Sequence, residues 1–427
     1  MARPSVLFWP LGNPELETAQ EDAKVALMNL GQADLDIRPV ERMTWCTPSE
    51  IPKLARSVKK KDLDAVVVFS ATHGTVRCIT AIVKRFKLPA VIWAIPSRYS
   101  LATSGIAKSY LGERGYFTRL LCNAPNDDSV RPQIETIARA ARASREAKTR
   151  RIGIIGNLSP LMISLPYNLP LLKKKLGPKT VKIGLPSLEN KLESISDSDV
   201  HKEVSKLKEK YQINVGGNTL AKAVRFQLAV REIVKKNRLD AIALECWTKL
   251  FPKYGVNPCL GHLDDLVVGC EGDVVSMSGS LILMSINGVN PYLADIFSVD
   301  PKRNLIELSH CAAPISLASD ASKINIVERT DPKSAGKTAF ANFKLKNGAV
   351  TLVRFYGRNL DKIHMTFGEL KDTGEYWGGM RPVVELKGNA AEFLRNVSGN
   401  HYLLTYGDVR EELRVFAELH GLQVRED

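Results

Sequence analysis

Five stretches of this chain are continuous apolar runs of strand length rather than alternating ones: residues 5–9, 64–69, 89–95, 151–155 and 239–244. Asp64-Ala-Val-Val-Val-Phe69 is the clearest of them. A strand apolar on both sides is buried on both faces, and that happens in parallel sheets covered by helices. Helical periodicity fills the gaps at residues 14–30, 76–86 and 219–236, which makes the pattern a βαβ series. The chain has 427 residues, too many for one ordinary core, so two or three domains are expected. The series is interrupted by an Ala-, Arg- and Lys-rich connecting helix near residues 138–151 and then restarts at Arg151-Ile-Gly-Ile-Ile-Gly156. The expected fold is α/β, with two Rossmann-like domains containing parallel sheets (1–148 and 149–318). Residues 291–297 and 305–308 close the second.

Residues 319–427 read differently. Short segments at 323–330, 338–345, 349–356, 362–370 and 382–386 alternate polar and apolar residues, which predicts a C-terminal antiparallel β-rich domain. Asn347-Gly348 between two of these segments is a strong hairpin signal. A strand at 401–406 and an amphipathic helix at 409–420 end the chain.

The hydrophobic share of 44% and charged share of 25% suit a packed globular protein. Cys46, Cys78, Cys122, Cys246, Cys259, Cys270 and Cys311 are odd in number and scattered, unlike a disulfide scaffold or zinc finger. With no signal-peptide pattern and no apolar run near the ~20 residues of a membrane span, a cytoplasmic protein without a membrane partner is expected. The net charge of +14 calls for a nucleic-acid hypothesis. The basic residues form short clusters such as 59–61, 173–175 and 206–210, with no recognition motif, and read as solvated helix faces. No nucleic-acid partner is expected. A positive field does favour an anionic small-molecule substrate.

In open α/β sheets ligands gather at the carboxyl ends of strands. Polar residues stand there at Glu245, with Trp247 beyond it, at Glu271 and at Asp295, and His310 follows a fourth apolar run. A carboxylate directly after a buried strand is costly unless something compensates it, and a divalent cation does so efficiently. Glu271 and Asp295 with a histidine would suit Mn²⁺ or another divalent metal that accepts carboxylate and imidazole. Helix capping and structural ion pairs are the competing explanation.

The order Ala243-Leu-Glu-Cys-Trp247, Pro258-Cys259, Cys270-Glu-Gly-Asp273, Ala294-Asp295 and Ser309-His-Cys-Ala-Ala-Pro314 resembles the central domain of the L-fucose isomerase family. Asn400-His-Tyr-Leu-Leu-Thr-Tyr-Gly-Asp408 resembles its C-terminal metal-ligand region. The resemblance implies a metal-dependent aldose–ketose isomerase that works through an ene-diol and is built as a homo-oligomer (a hexamer, dimer or trimer). It implies Mn²⁺ held by Glu271, Asp295 and His401, with Glu271 and Asp295 as the acid–base pair. The related arabinose isomerases use a further histidine, which His310 matches. Asn400 is a sugar-binding candidate by resemblance, Glu245 and Trp247 are candidates at the strand end, and Arg381 is a candidate for a sugar hydroxyl or anionic group. Ala312-Ala313 and Met380-Arg381 depart from the family pattern at the pocket border.

Each candidate has a plainer alternative. Glu245 caps a helix, Trp247 and Trp377 are core aromatics, Arg381 pairs with a carboxylate, and His73 sits in a loop. A competing function is a non-catalytic or diverged sugar-binding protein with the same fold. A nucleotide-using enzyme is disfavoured. Gly153-Ile-Ile-Gly156 lacks the third glycine of a dinucleotide fingerprint, and Asp331 stands where a phosphate loop ending at Ser334-Ala-Gly-Lys-Thr338 needs glycine.

Overall fold

The structure, a computed structural model, describes residues 2–45, 49–165, 168–263, 266–330, 337–371 and 380–427. It divides into two units: Met1–Arg145 with Glu411–Leu419, and Glu146–Arg410 with His420–Asp427. The expected Asp331 loop and Trp377 lie outside the described residues. Among the described residues, no helix is long and apolar enough to cross a membrane.

The first unit carries β1 (Ser5–Leu11), β2 (Asp36–Pro39), β3 (Ala65–Ser70), β4 (Ala90–Ala94) and β5 (Thr118–Cys122). All are parallel, in the order β2-β1-β3-β4-β5. Every residue of β1, β3 and β4 is buried, as their unbroken apolar runs require. Helix Val76–Phe86 lays Ile79, Ile82, Val83 and Phe86 against Val66, Val68 and Ile92.

The second unit joins a parallel sheet to a barrel. The sheet consists of β6 (Arg151–Ile155), β7 (Lys179–Ile183), β9 (Ala241–Leu244) and β10 (Val267–Gly269), in the order β10-β9-β6-β7. A short β8 (Gln212–Asn214) belongs instead to a three-stranded sheet with β13 (Asn325–Thr330) and β14 (Lys337–Asn342). The barrel is β15 (Gly348–Tyr356), β18 (His401–Tyr406), β11 (Tyr292–Asp300), β12 (Leu305–Ser309), β17 (Val383–Leu386) and β16 (Lys362–Lys371), closed by the β15–β16 pairing. The last strand, β19 (Gln423–Glu426), pairs with β16 at its side. The α/β class with two parallel sheets and a C-terminal antiparallel sheet is therefore what the sequence led us to expect.

Two sequence expectations are corrected. The segments at 291–297 and 305–308 do not join the parallel sheet. They are β11 and β12, antiparallel to each other and to the C-terminal strands. Only residues 301–304 link them, whereas a parallel pair needs a crossover of a dozen or more residues. Asn347-Gly348 does not close a hairpin either: β14 pairs with β13, while β15 pairs with β16 and β18. Gly348 has φ +145°, far from the left-handed values of such a turn.

Strand alternation sets up the site. Tyr292, Ala294, Tyr402 and Leu404 point into one core cluster. Their neighbours Asp295, His401 and Leu403 therefore lie on the opposite barrel face. That face receives helix Val274–Asn287, and Gly279 allows the close approach: a Cβ there would lie 2.7 Å from Leu403 Cδ1 and 2.9 Å from Phe355.

Candidate active site

The carboxyl ends of β9 and β10 supply one half of the site. After β10 the chain makes a tight left-handed turn, with φ +57° at Glu271 and +69° at Gly272. The turn is clamped on both sides. Gly272 N–H donates to Leu244 O (3.0 Å), and Ser159 N–H donates to Glu271 O (2.8 Å). Few non-glycine residues occupy this region of backbone space, and those that do concentrate at functional sites. Asp273 then caps helix Val274–Asn287 by accepting from Ser276 N–H at 2.9 Å.

The barrel supplies the other half. Asp295 on β11 is the direct cross-strand partner of His401 on β18, and Ser309 pairs with Asp295 from β12. His310 follows at once and bridges to Met380. His401 is fully buried, and its Nε2 lies 3.6 Å from Glu271 Oε2 and 3.6 Å from Asp295 Oδ1. That nitrogen has no hydrogen-bond partner among the described residues. Asp295, His310 and His401 each offer a ligand atom, all within 4.8 Å of one another. Bonds of about 2.1 Å place two ligands of one cation within about 4.2 Å. The 3.6 Å spacings meet that limit, and an orphaned buried imidazole nitrogen facing two carboxylates is an arrangement a cation would complete. Two imidazoles and the Asp295 carboxylate, with Glu271 Oε2 beside His401 Nε2 but outside that group of three, suit Mn²⁺ and its neighbours better than a soft, thiolate-seeking ion.

The remaining candidates separate. Asn400 Nδ2 donates to Asp295 Oδ1 at 2.8 Å and so holds that carboxylate. Trp247 lines a cleft of about 200 Å³ together with Glu271, Asp295 and His310. Glu245 is buried and both its oxygens are engaged: Oε2 accepts from Asn157 N–H at 2.7 Å and Oε1 from the Thr248 hydroxyl at 3.0 Å. Arg381 is ion-paired with Glu307, stacks 4.2 Å over the Phe297 ring and does not line the cleft.

Sequence reasoning missed several neighbours. Cys246, Cys259, Cys270 and Cys311, scattered along the chain, all line this cleft as free thiols. Arg329 also lines it, with Nη1 2.5 Å from Cys311 Sγ. Buried Arg354 donates from Nη1 to His401 O at 2.6 Å. Cys246, Cys270 and Cys311 stand directly beside Trp247, Glu271 and His310 in the chain, whereas Arg329 and Arg354 are brought in by the pairing of β13 and β15.

The charges are strongly coupled. Burial, reinforced by the nearby Asp295 carboxylate, pushes the Glu271 carboxyl above its ordinary range even though His401 opposes the shift. Burial alone would lower the His401 imidazole, but hydrogen bonding and charge from Asp273, with Asp295 and Glu271 behind, raise it. A raised carboxyl opposes folding above its unfolded pKa, and that penalty is relieved as pH falls through the folded value. A raised imidazole stabilises the fold below its unfolded pKa and loses that contribution as pH rises through the folded value. Both shifts favour the metal-free protein in mild acid, and both protons must leave before a cation binds. A Mn²⁺ ion bound by these residues would stabilise the fold by about 2.7 kcal/mol at about pH 8 with free Mn²⁺ near 100 Kd. At about pH 5.5 and the same free Mn²⁺ the stabilisation should be smaller, because protons then compete for Glu271 and His401. Thermal melts with and without Mn²⁺ at the two pH values measure this, and equal shifts would contradict it.

No family model matches the chain. It is 25% identical over 449 aligned residues to sulfoquinovose isomerase of Priestia aryabhattai, covering 100% of this chain and 99% of the relative. The protein of the same name from Priestia megaterium gives the same figures. That of Alkalicoccus urumqiensis is 25% identical over 409 residues, 91% of each chain. From one end to the other, this chain is similar to proteins named as isomerases of a sugar.

Proposed function

We propose that the chain is a metal-dependent aldose–ketose isomerase acting on an open-chain anionic sugar, with a sulfonated aldose such as sulfoquinovose as its substrate class. The observation that carries this reading is the buried His401 Nε2, without a hydrogen-bond partner among the described residues and 3.6 Å from both Glu271 Oε2 and Asp295 Oδ1. The full-length similarity to sulfoquinovose isomerases supports the choice of reaction and sugar.

Converting an aldose to a ketose moves one proton from C2 to C1 and another between the hydroxyl oxygens, through an ene-diol. His401, His310, Glu271 and Asp295 would hold the divalent cation, which supplies positive charge against the negative charge developing on the sugar oxygens. Glu271 takes the C2 proton and returns it at C1. Asp295, fixed by Asn400, carries the proton between the oxygens. Trp247 offers an indole face for the sugar, and Arg329 is a guanidinium in the cleft wall suited to a sulfonate.

The test is a panel of sulfoquinovose, glucose, fucose and arabinose with the Mn²⁺-loaded and the chelator-treated full chain in D₂O. The sulfonated aldose should convert to its ketose, take up solvent deuterium at the carbon receiving the proton, and stop converting on chelation. Conversion of no sugar in the loaded protein, or conversion indifferent to chelation, would refute the proposal.

A further inference from the structure

The most tightly bonded group beside the site is one the reaction does not use. Asp273 and His401 are both fully inaccessible to solvent, and His401 Nδ1 lies 2.9 Å from Asp273 Oδ2. An ionised carboxylate only accepts, so the imidazole donates from Nδ1. In the neutral ring the other nitrogen is then a lone pair, and it is Nε2 that faces Glu271 and Asp295.

We infer that Asp273 is a positioning residue for a divalent cation: its carboxylate fixes the His401 tautomer and ring so that the Nε2 lone pair is aimed between Glu271 and Asp295. This rests on reading His401 as a ligand. Three further bonds make the arrangement rigid. Asp273 is held by Ser276 N–H on Oδ1 (2.9 Å) and Ser276 Oγ on Oδ2 (2.6 Å), at the head of a helix whose body is buried. The His401 backbone is held by Arg354 on its carbonyl. Asp273 thus does two jobs, capping a helix and orienting an imidazole 128 residues further along the chain.

The two jobs can be separated by substitution. In Asp273→Ser the hydroxyl still caps the helix but is too short to reach the imidazole. In Asp273→Asn the amide oxygen caps Ser276, which turns the NH₂ toward Nδ1. A donor there demands the opposite tautomer and places the ring proton on Nε2.

The experiment uses the full chain as wild type, Asp273→Asn, Asp273→Ser and His401→Ala. Free Mn²⁺ is followed by EPR during titration, and ring N–H protons are observed by NMR of the ¹⁵N-histidine-labelled, metal-free protein. Thermal melts verify folding. Wild type should show a strongly hydrogen-bonded Nδ1–H signal that is missing in all three variants. The Kd for Mn²⁺ should rise about 10- to 100-fold in both folded Asp273 variants. If His401→Ala weakens Mn²⁺ binding while both Asp273 variants bind like wild type, Asp273 is only a helix cap and the inference fails alone. If His401→Ala also binds like wild type, the ligand reading fails and takes the inference with it. Absence of the Nδ1–H signal from wild type overturns the inference whatever the metal does.

Discussion

Glu271→Gln should lower kcat for the sugar isomerisation by at least about 10³-fold, roughly 4 kcal/mol of transition-state stabilisation. Glutamine preserves the shape of the side chain but cannot accept a proton from carbon, and it is a weaker cation ligand than carboxylate. The loss should appear mainly in kcat, since Trp247 and Arg329, the cleft residues proposed to contact the sugar, are untouched. The fold should not suffer. In the metal-free protein Glu271 is pushed up by burial and by the Asp295 charge, so neutralising it removes an unfavourable interaction. The variant should therefore melt at or above the wild-type temperature without Mn²⁺. It should also gain less stabilisation when Mn²⁺ is added. A variant with wild-type kcat would remove Glu271 from the chemistry, and a loss of activity accompanied by unfolding would show the substitution acting through structure.

The parts of this arrangement that sequence made legible share a physical cause. Strands such as β3 and β4 are buried on both faces, so their residues have no freedom to be polar and the runs announce themselves. Helix Val274–Asn287 is apolar on nearly every side because it is packed between the sheet and the barrel. Glu271 stood out because a carboxylate at the end of such a strand needs a partner. Asp295 stood out for the same reason, although its strand proved to be a barrel strand. The errors concern pairing. Nothing local in residues 291–309 tells whether β11 and β12 will join the parallel sheet or the barrel, and that choice is made by pairing with β18 and β17, whose partner residues lie 76 to 112 positions further along the chain. His401 was reached only through family resemblance, since a histidine opening an apolar strand carries no message about what faces it. Asp273 was hidden by its own plausibility. An aspartate before a helix is already explained as a cap, and its second bond is invisible without the fold. Arg354 is similarly disguised, because an arginine in an alternating strand reads as an outward-facing residue, yet it is 2% exposed and braces His401.

Gly272→Ala should cost the protein about 3 kcal/mol or more and weaken Mn²⁺ binding at the same time. Two effects add at this position. Gly272 has φ +69°, where any side chain is strained by about 1–2 kcal/mol. A Cβ there would also lie 2.0 Å from Asn157 O and 3.0 Å from Leu158 Cα, and backbone cannot swing away as a flexible side chain does. Relief requires moving the loop at 157–159. That loop is tied to Glu271 O through Ser159 and to Glu245 through Asn157, so the displacement is passed to the carboxylate that faces His401. Gly115→Ala is the matched control. Its φ of +75° is almost the same, but nothing lies within 4 Å of its Cβ, so it should lose only the backbone part, about 1–2 kcal/mol, and keep wild-type Mn²⁺ affinity. Urea unfolding of both variants, with Mn²⁺ titrations alongside, separates the two contributions. Equal losses in the two proteins would show that the loop yields freely, and that the left-handed turn at Glu271 is not held in place from the 157–159 side.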